Sequence, residues 1–298
     1  MGYVPSDYTS EAPMNHSENA FILTIACTDA CGLVGAFSSL IASMGGNITE
    51  ANHHTDIKTG KAFLRFVFTN KTGSADDLRA AIQPLTEKYA ADCSVYDANK
   101  PMKVVIAVSR FGHCLQELIH RQLAGILPIE ICAVLSNHED MRGFVEWAGI
   151  PYHYLPVSKE NKAEQEQQIR SLFQSHDAEL LILARYMQIL SADMCRDFDG
   201  KAINIHHSFL PSFKGAKPYS QAHDKGVKII GATAHYVTTD LDEGPIIEQA
   251  VERVDHSVSV EEFVNVGRDT ETLALTRAVR WHAERRVMMH GNRTIVFK

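Results

Sequence analysis

The chain has few cysteines and no long hydrophobic run, and each of these shortages excludes a class of protein. Six cysteines are spread over 298 residues, and none forms a Cys-x-x-Cys pair. The pattern therefore favours reduced thiols and a cytoplasmic location over a disulfide framework. No apolar stretch approaches the ~20 residues that a membrane-spanning helix requires. The amino-terminal segment also lacks the apolar core of a signal peptide, so we predict no membrane partner.

Positive charge is also in short supply. Lysine and arginine total 29 against 36 aspartates and glutamates, which gives a formal net charge of −7. Binding to nucleic acid needs a basic surface, so we predict no nucleic-acid partner. Histidine is abundant, with 15 residues, but neither adjacent pair, His53-His54 or His206-His207, lies at zinc-ligand spacing from cysteine. We therefore predict no metal site.

The first third of the chain, residues 20–98, reads as a small domain of its own. Apolar periodicity predicts strands at 21–27, 47–56, 62–69 and 93–96, and helices at 33–44 and 74–91. The resulting order, βαββαβ, is that of the ferredoxin-like fold.

A polar break at residues 99–101 precedes a second domain, residues 101–298. Near-continuous apolar strands at 103–108 and 180–183 alternate with helices, as in a doubly wound, mostly parallel α/β sheet. Segments 229–237 and 246–254 have no helix between them and predict additional antiparallel strands. Ser259 and Glu262 form a capping-box pattern that opens a long helix to about residue 286, and 294–297 predicts a terminal strand.

Polar residues of three kinds lie at the ends of predicted strands in this second domain. Asn204 and His206 are two residues apart, so on a strand both side chains point to one face. Asp242 lies in a loop that is followed by Gly244 and Pro245. An amide donor, a titratable ring and a carboxylate that orients it are the groups that acyl transfer needs.

These residues lie within runs that together resemble a known family. The runs are Asn204–Pro211, Gly215–Tyr219, Ala184–Leu190, Val266–Asp269 and Gly291–Thr294. They are similar to the formyltetrahydrofolate deformylases, which share a formyl-transfer fold with glycinamide ribonucleotide transformylase. His207, where the transformylase motif has proline, makes the deformylase the closer match. Ser220 departs from the deformylase pattern, in which histidine is common.

The resemblance implies hydrolysis of 10-formyltetrahydrofolate to tetrahydrofolate and formate, without a cofactor. Such an enzyme supplies formate for purine biosynthesis and balances the one-carbon folates. Asn204 would donate to the formyl oxygen, His206 would hold the oxyanion or move a proton, and Asp242 would orient His206. Folate would lie against Met187, Gln188 and Leu190, with His235 in support and the loop that contains Asp240 opposite. We expect His207 to face away from this site.

The first domain contains the runs Asp29–Val34, Gly46–Ile48 and Gly60–Phe63. With these runs it resembles an ACT domain, a module that senses small molecules and usually pairs its sheet with another copy. This resemblance implies a homo-oligomer and an amino-acid effector such as glycine or methionine. The residues expected to bind the effector are Asp29, Gly32, Leu33, Asn47 and Ile48. The alternative is a packing domain that binds no ligand.

Two other functions remain open from the sequence. One is a transformylase that passes the formyl group to an amine, and the other is a non-catalytic sensor of folate or amino acids. The transformylase has a glycine-rich phosphate loop where this chain has Ser109–His113, which contains a single glycine. That difference favours water as the acceptor. The presence of Asn204, His206 and Asp242 favours an enzyme over a sensor, because a protein that only binds has no need of all three.

Overall fold

The computed structural model describes residues 19–71, 73–209 and 222–298, and it divides the chain into two compact units, Met1–Asn99 and Lys100–Lys298. Part of the sequence motif, from Leu210 to Ser220, lies outside the described residues.

The first unit has the predicted βαββαβ order. Its elements are β1 (Asn19–Thr28), α1 (Leu33–Ser43), β2 (Asn47–Asp56), β3 (Lys61–Asn70), α2 (Ala75–Tyr89) and β4 (Asp92–Asp97). The strands form one antiparallel sheet in the order β2-β3-β1-β4. The ferredoxin-like prediction is therefore confirmed.

The alternation of side chains along β1 explains how the core of this unit forms. Phe21, Leu23 and Ile25 share one face of the strand and pack with Phe37 and Ile41 of α1 in one buried cluster. Ser74 and Asp77 form a capping box that begins α2.

The second unit is built on a seven-stranded sheet. Its elements are β5 (Met102–Val108), α3 (His113–Leu123), β6 (Ile129–Ser136), α4 (Arg142–Trp147), β7 (Tyr152–Tyr154), α5 (Lys162–Ser175), β8 (Leu180–Leu183), α6 (Ala192–Asp197), β9 (Ala202–His206), β10 (Ile229–Tyr236), β11 (Ile246–Arg253), α7 (Val260–Ala283), β12 (Val287–His290) and β13 (Arg293–Val296). The sheet order is β11-β10-β9-β8-β5-β6-β7. Strands β5 to β9 pair in parallel, and β10 and β11 add antiparallel strands as predicted.

Helices cover both faces of this sheet. Val104 and Ile106 pack in a cluster with residues of α3 and α7, whereas Val105 and Ala107 pack in another cluster with residues of α5 and α6. This doubly wound arrangement places the reversal of strand order between β5 and β8. In open α/β sheets, ligands bind beyond the carboxyl ends of the strands at such a reversal.

Two predictions at the carboxyl terminus need correction. The long helix is capped by Ser259 and Glu262 as predicted, but it ends at Ala283 and not near residue 286. Strand β12 then begins at Val287 and pairs with β13 in a separate two-stranded sheet. The predicted terminal strand is therefore half of a hairpin.

Within the described ranges, no helix combines the length and the apolar character that crossing a membrane would require.

Candidate active site

A cavity of about 240 Å³ opens where β8 and β9 end. One side is formed by residues 185–190, which have no regular secondary structure and are called here the wall segment. The opposite side is formed by the loop after β10, including Thr238, Thr239 and Asp242. Asn204, His206 and His235 line it from the two intervening strands. The four residues Asn204, His206, His235 and Asp242 are called here the polar cluster.

Strand pairing brings Asn204 and His235 of the polar cluster together. In the antiparallel register of β9 and β10, Asn204 lies directly opposite His235, and their Nδ2 and Nε2 atoms are 3.3 Å apart. His235 Nδ1 lies 2.8 Å from the carbonyl oxygen of Tyr236. Because a carbonyl only accepts, Nδ1 carries the proton, and Nε2 of the neutral ring is free to accept from Asn204. The Asn204 amide is thus oriented from its strand neighbour.

His206 and Asp242 form the second pair in the polar cluster. His206 Nδ1 lies 3.2 Å from Asp242 Oδ2, and His235 Nε2 lies 3.7 Å from Asp242 Oδ1. Hydrogen bonding from His206 holds the pKa of the Asp242 carboxyl well below its usual range. With Nδ1–H donated to this carboxylate, the second ring nitrogen of His206 is left for chemistry.

That second nitrogen has no partner among the residues that the structure describes. His206 Nε2 is buried and makes no hydrogen bond to any described residue, although the ring lines the cavity. Buried polar atoms are almost always satisfied, and an exception calls for an explanation such as an ordered water, a ligand or a reaction that uses the atom. His206 Nε2 is therefore available to a bound substrate or to water.

The loop that positions Asp242 has an unusual backbone conformation. Asp242 has φ of 58°, a left-handed conformation that strains most residues but that Asp and Asn tolerate. Two residues later, a Cβ added to Gly244 would lie 1.8 Å from the carbonyl oxygen of Tyr236. Only glycine fits this close approach, which packs the loop against β10 beside His235.

The wall segment is fixed by hydrogen bonds from other elements. Ser109 Oγ, which follows β5, accepts from Met187 N at 3.0 Å and donates to Asn137 Oδ1 at 2.7 Å. Ser109 N donates to the carbonyl oxygen of Arg185, whose φ is 63°. Met187, at 54% exposure, and Gln188 and Leu190 line the cavity, and their contact with folate stays a prediction.

Comparisons with known proteins agree with this geometry. Residues 102–279 match the family model described as formyl transferase. The chain is 46% identical over 279 residues to the formyltetrahydrofolate deformylase of Corynebacterium sp. (strain P-1), and the match covers 93% of this chain and 98% of that protein. The crystal structure of a formyltetrahydrofolate deformylase from Pseudomonas syringae pv. tomato str. DC3000 matches with a TM-score of 0.92 and 45% identity over 96% of each chain.

The chain belongs to the formyltetrahydrofolate deformylase family. It is thus a hydrolase, and the predicted closeness to the deformylase is confirmed. Glycinamide ribonucleotide transformylase 1 from Symbiobacterium toebii matches with a TM-score of 0.62 and 28% identity, over 97% of that chain but only 68% of this one. The deformylases match over nearly the whole chain, whereas this transformylase leaves about a third of it unmatched.

Two residues near the cavity differ from the expectations for a deformylase. Asp240 lies on the loop after β10 but is exposed and does not line the cavity; its carbonyl accepts from Thr238 Oγ1. His207 does not face away, because β9 ends at His206 and the strand alternation stops there. Its ring lines the cavity 4.9 Å from that of His206. Burial, Arg185 and His206 lower the pKa of His207 to about 4.

The residues expected to bind an effector lie in the first unit. Asp29 and Gly32 are exposed in the turn before α1, and Gly32 has φ of 82°. Asn47 is exposed at the start of β2, and Ile48 packs partly against the core. Leu33 needs correction, because its side chain is 2% exposed in the core and its N–H donates to the carbonyl of Ala30. Neither group of Leu33 is offered to a ligand.

One cluster outside the polar cluster contains donor types that metals use. His113, Cys114 and Glu271 have ligand atoms within 4.8 Å of one another. Glu271, at 1% exposure, already binds His113 Nε2 at 2.7 Å and lies 3.3 Å from Arg185 Nε. Burial raises the pKa of the Cys114 thiol, which disfavours the thiolate. The arrangement fits an ion-pair network that supports Arg185 better than a cation site.

Sequence reasoning missed the buried residues that support the cavity. Gln165, Glu166 and Glu271 are each at most 4% exposed, yet they lie on helices whose patterns read as polar or amphipathic surface. A charged residue that occupies a position of the apolar stripe, such as Glu166 three before Ile169, is the signal that was available.

Proposed function

We propose that this chain hydrolyses 10-formyltetrahydrofolate to tetrahydrofolate and formate. The observation that carries the proposal is the buried Nε2 of His206, which has no partner within residues 19–71, 73–209 and 222–298 and lies in a cavity shared with Asn204 and Asp242. The reaction uses these side chains and water, and the proposal includes no cofactor.

His206 is the proton carrier in this proposal. Its Nδ1–H is donated to Asp242, so Nε2 of the neutral ring accepts a proton from the attacking water as the oxygen bonds to the formyl carbon. The ionised Asp242 stabilises the imidazolium that forms. When the carbon–N10 bond breaks, Nε2–H returns the proton to N10; tetrahydrofolate and formic acid leave, and the acid ionises to formate by releasing its proton to solvent.

Asn204 stabilises the charge that develops on the formyl oxygen. One N–H of its amide is directed to His235 Nε2, and the other is available to the cavity. A donor fixed in advance costs no reorganisation when the oxyanion forms, which is why such groups lower the barrier.

The wall segment supplies the binding surface for the folate. Met187 and Ile189 present large apolar side chains at 54% and 62% exposure, and an aromatic ring system would bury both. Asp240 remains a proposed contact for a ligand that extends beyond the cavity, because it lies on the opposite loop.

A direct test uses the purified chain and 10-formyltetrahydrofolate with no amine present. Formate and tetrahydrofolate should appear in equal amounts, and Asn204→Ala should reduce their rate of formation about 10²–10³-fold. A chain that binds the substrate without turning it over would support a folate sensor instead.

For the first unit, we propose an amino-acid effector such as glycine or methionine, bound near Asp29, Gly32 and Asn47 in a homo-oligomer. Exposed backbone in the turn before α1 supports this placement. Calorimetry with a panel of amino acids tests it, together with sedimentation to give the oligomeric state. If no amino acid in the panel binds or changes the turnover rate, the unit serves only in assembly or packing.

We also propose the cellular compartment and the metabolic role of the reaction. All six cysteines are free, which fits a reducing cytoplasm. The released formate would serve purine biosynthesis, and the reaction would balance the one-carbon folates.

A further inference from the structure

Two neighbouring side chains on α5 are buried although both are polar. Gln165 and Glu166 are each 4% exposed, whereas Glu164 beside them is exposed. Burying an amide and a carboxyl is costly unless both are hydrogen-bonded, so their partners show what the two residues are for. Neither residue lines the cavity next to the polar cluster.

Their partners lie on either side of the exposed part of the wall segment. Gln165 Nε2 donates to Tyr186 Oη at 2.8 Å and to the carbonyl of Leu155 at 2.9 Å. Glu166 accepts twice from Ser191, from the backbone N–H at 2.8 Å and from Oγ at 2.5 Å. One helix therefore binds the residue just before Met187 and the residue just after Leu190.

Ser191 connects this contact to the next element. Its Oγ also accepts from Met194 N and caps α6. A charged acceptor makes stronger hydrogen bonds than a neutral one, and Glu166 directs its charge at a serine that ends the wall segment and begins a helix. The segment between Tyr186 and Ser191 has no backbone ladder of its own, so these side chains replace one.

We infer that Gln165 and Glu166 are positioning residues that hold the wall segment in the conformation that binds folate, through Tyr186 and Ser191. This inference rests on the proposed function for the identity of the ligand. It assigns the pair an effect on affinity and not on the chemical step, because neither residue contacts the polar cluster.

The test compares Glu166→Ala, Glu166→Gln and the exposed neighbour Glu164→Ala. In Glu166→Ala, KM for 10-formyltetrahydrofolate should rise about 10-fold with kcat within about twofold, the scale of losing hydrogen bonds to a charged group. Glu166→Gln should recover most of this loss, because its amide oxygen still accepts from Ser191 N. Glu164→Ala should match the parent chain.

Calorimetric binding of tetrahydrofolate to each variant separates this inference from the proposed function. A parent chain that binds tetrahydrofolate but releases no formate would contradict the proposed function. The positioning role of Gln165 and Glu166 could still be tested in that case through the affinity for tetrahydrofolate. Unchanged KM and affinity in a folded Glu166→Ala chain, or a fall in kcat at constant KM, would overturn the inference.

If Glu166→Ala does not fold, hydrogen exchange in Glu166→Gln provides the second measurement. The Ser191 amide should exchange faster in that variant than in the parent chain, because a neutral acceptor holds it more weakly. An unchanged exchange rate of the Ser191 amide would overturn the inference that Glu166 holds Ser191.

Discussion

The polar cluster and the wall segment border the same cavity but are held in place in different ways. Asn204, His206 and His235 stand on paired strands, where register alone sets which side chains are opposite. The wall segment has no regular structure and is held by hydrogen bonds to side chains of other elements, namely Ser109 after β5 and Gln165 and Glu166 on α5.

The difference separates two kinds of function. Groups that move protons or hold developing charge need positions fixed to a fraction of an ångström, which a sheet provides. A binding surface tolerates small adjustments and is made by loops on a rigid scaffold. Changes in the polar cluster should therefore lower kcat, and changes in or behind the wall segment should raise KM.

The largest effect is expected for Asp242→Asn. Asn is isosteric and tolerates the φ of 58° at this position, so the fold should be retained. Without the carboxylate, His206 loses the group that orients and stabilises its charged form, and kcat should fall about 10²–10⁴-fold. Steady-state hydrolysis, with thermal unfolding as a check on the fold, measures this; near-normal kcat would remove the role of Asp242.

A smaller loss, about 10²–10³-fold in kcat, is expected for Asn204→Ala because it removes one donor to the oxyanion. Asn204→Asp is a useful comparison, since it keeps the shape but places a negative charge where the oxyanion forms. It should be at least as impaired as the alanine variant, and a more active Asp variant would argue against oxyanion stabilisation.

On the wall, Met187→Ala should raise KM about 3–10-fold and leave kcat nearly unchanged. The side chain is 54% exposed, so its removal costs the fold little but takes apolar surface from the bound ligand. Met289→Ala, at a residue 40% exposed on β12, is the matched control and should change neither constant. A loss in kcat alone would contradict the division between the two regions.

The smallest effect concerns stability. The pKa of His207 is lowered to about 4 in the folded chain, against an ordinary value near 6.5. Between these values the unfolded chain binds a proton that the folded chain does not, so His207 supports stability above about pH 6.5 and this support is lost as the pH falls toward 4. The slope amounts to at most about 1.4 kcal/mol per pH unit.

His207→Gln should reduce that slope, measured as the free energy of unfolding in urea at several pH values between 4.5 and 7. An unchanged slope would show that His207 does not differ between the folded and unfolded chains in the way its burial indicates.

The fold was largely predictable because its signals are local. Apolar runs and alternation predicted most strands of both units, and the bounds of β8 match the predicted range of 180–183. Strand β12 was missed because it has only four residues, Val287–His290, and so short a run shows no clear periodicity.

The site was predictable only where residues carry a motif. Asn204 and His206 follow from strand spacing, and Asp242 was found through resemblance, since only the fold brings it within 3.2 Å of His206. Glu166 was not found, because a glutamate on a helix is normally solvated, and its burial depends on Ser191, which is 25 residues away in sequence. Spacing on one element cannot reveal a contact between two.

The most direct test of the central claim is hydrolysis of 10-formyltetrahydrofolate in ¹⁸O-labelled water, with and without glycinamide ribonucleotide. Water as the acceptor predicts one ¹⁸O in each formate, formate equal to the tetrahydrofolate released, and no change in rate or product when the ribonucleotide is added. A formylated ribonucleotide that appears in step with tetrahydrofolate, or turnover that requires it, would contradict the account.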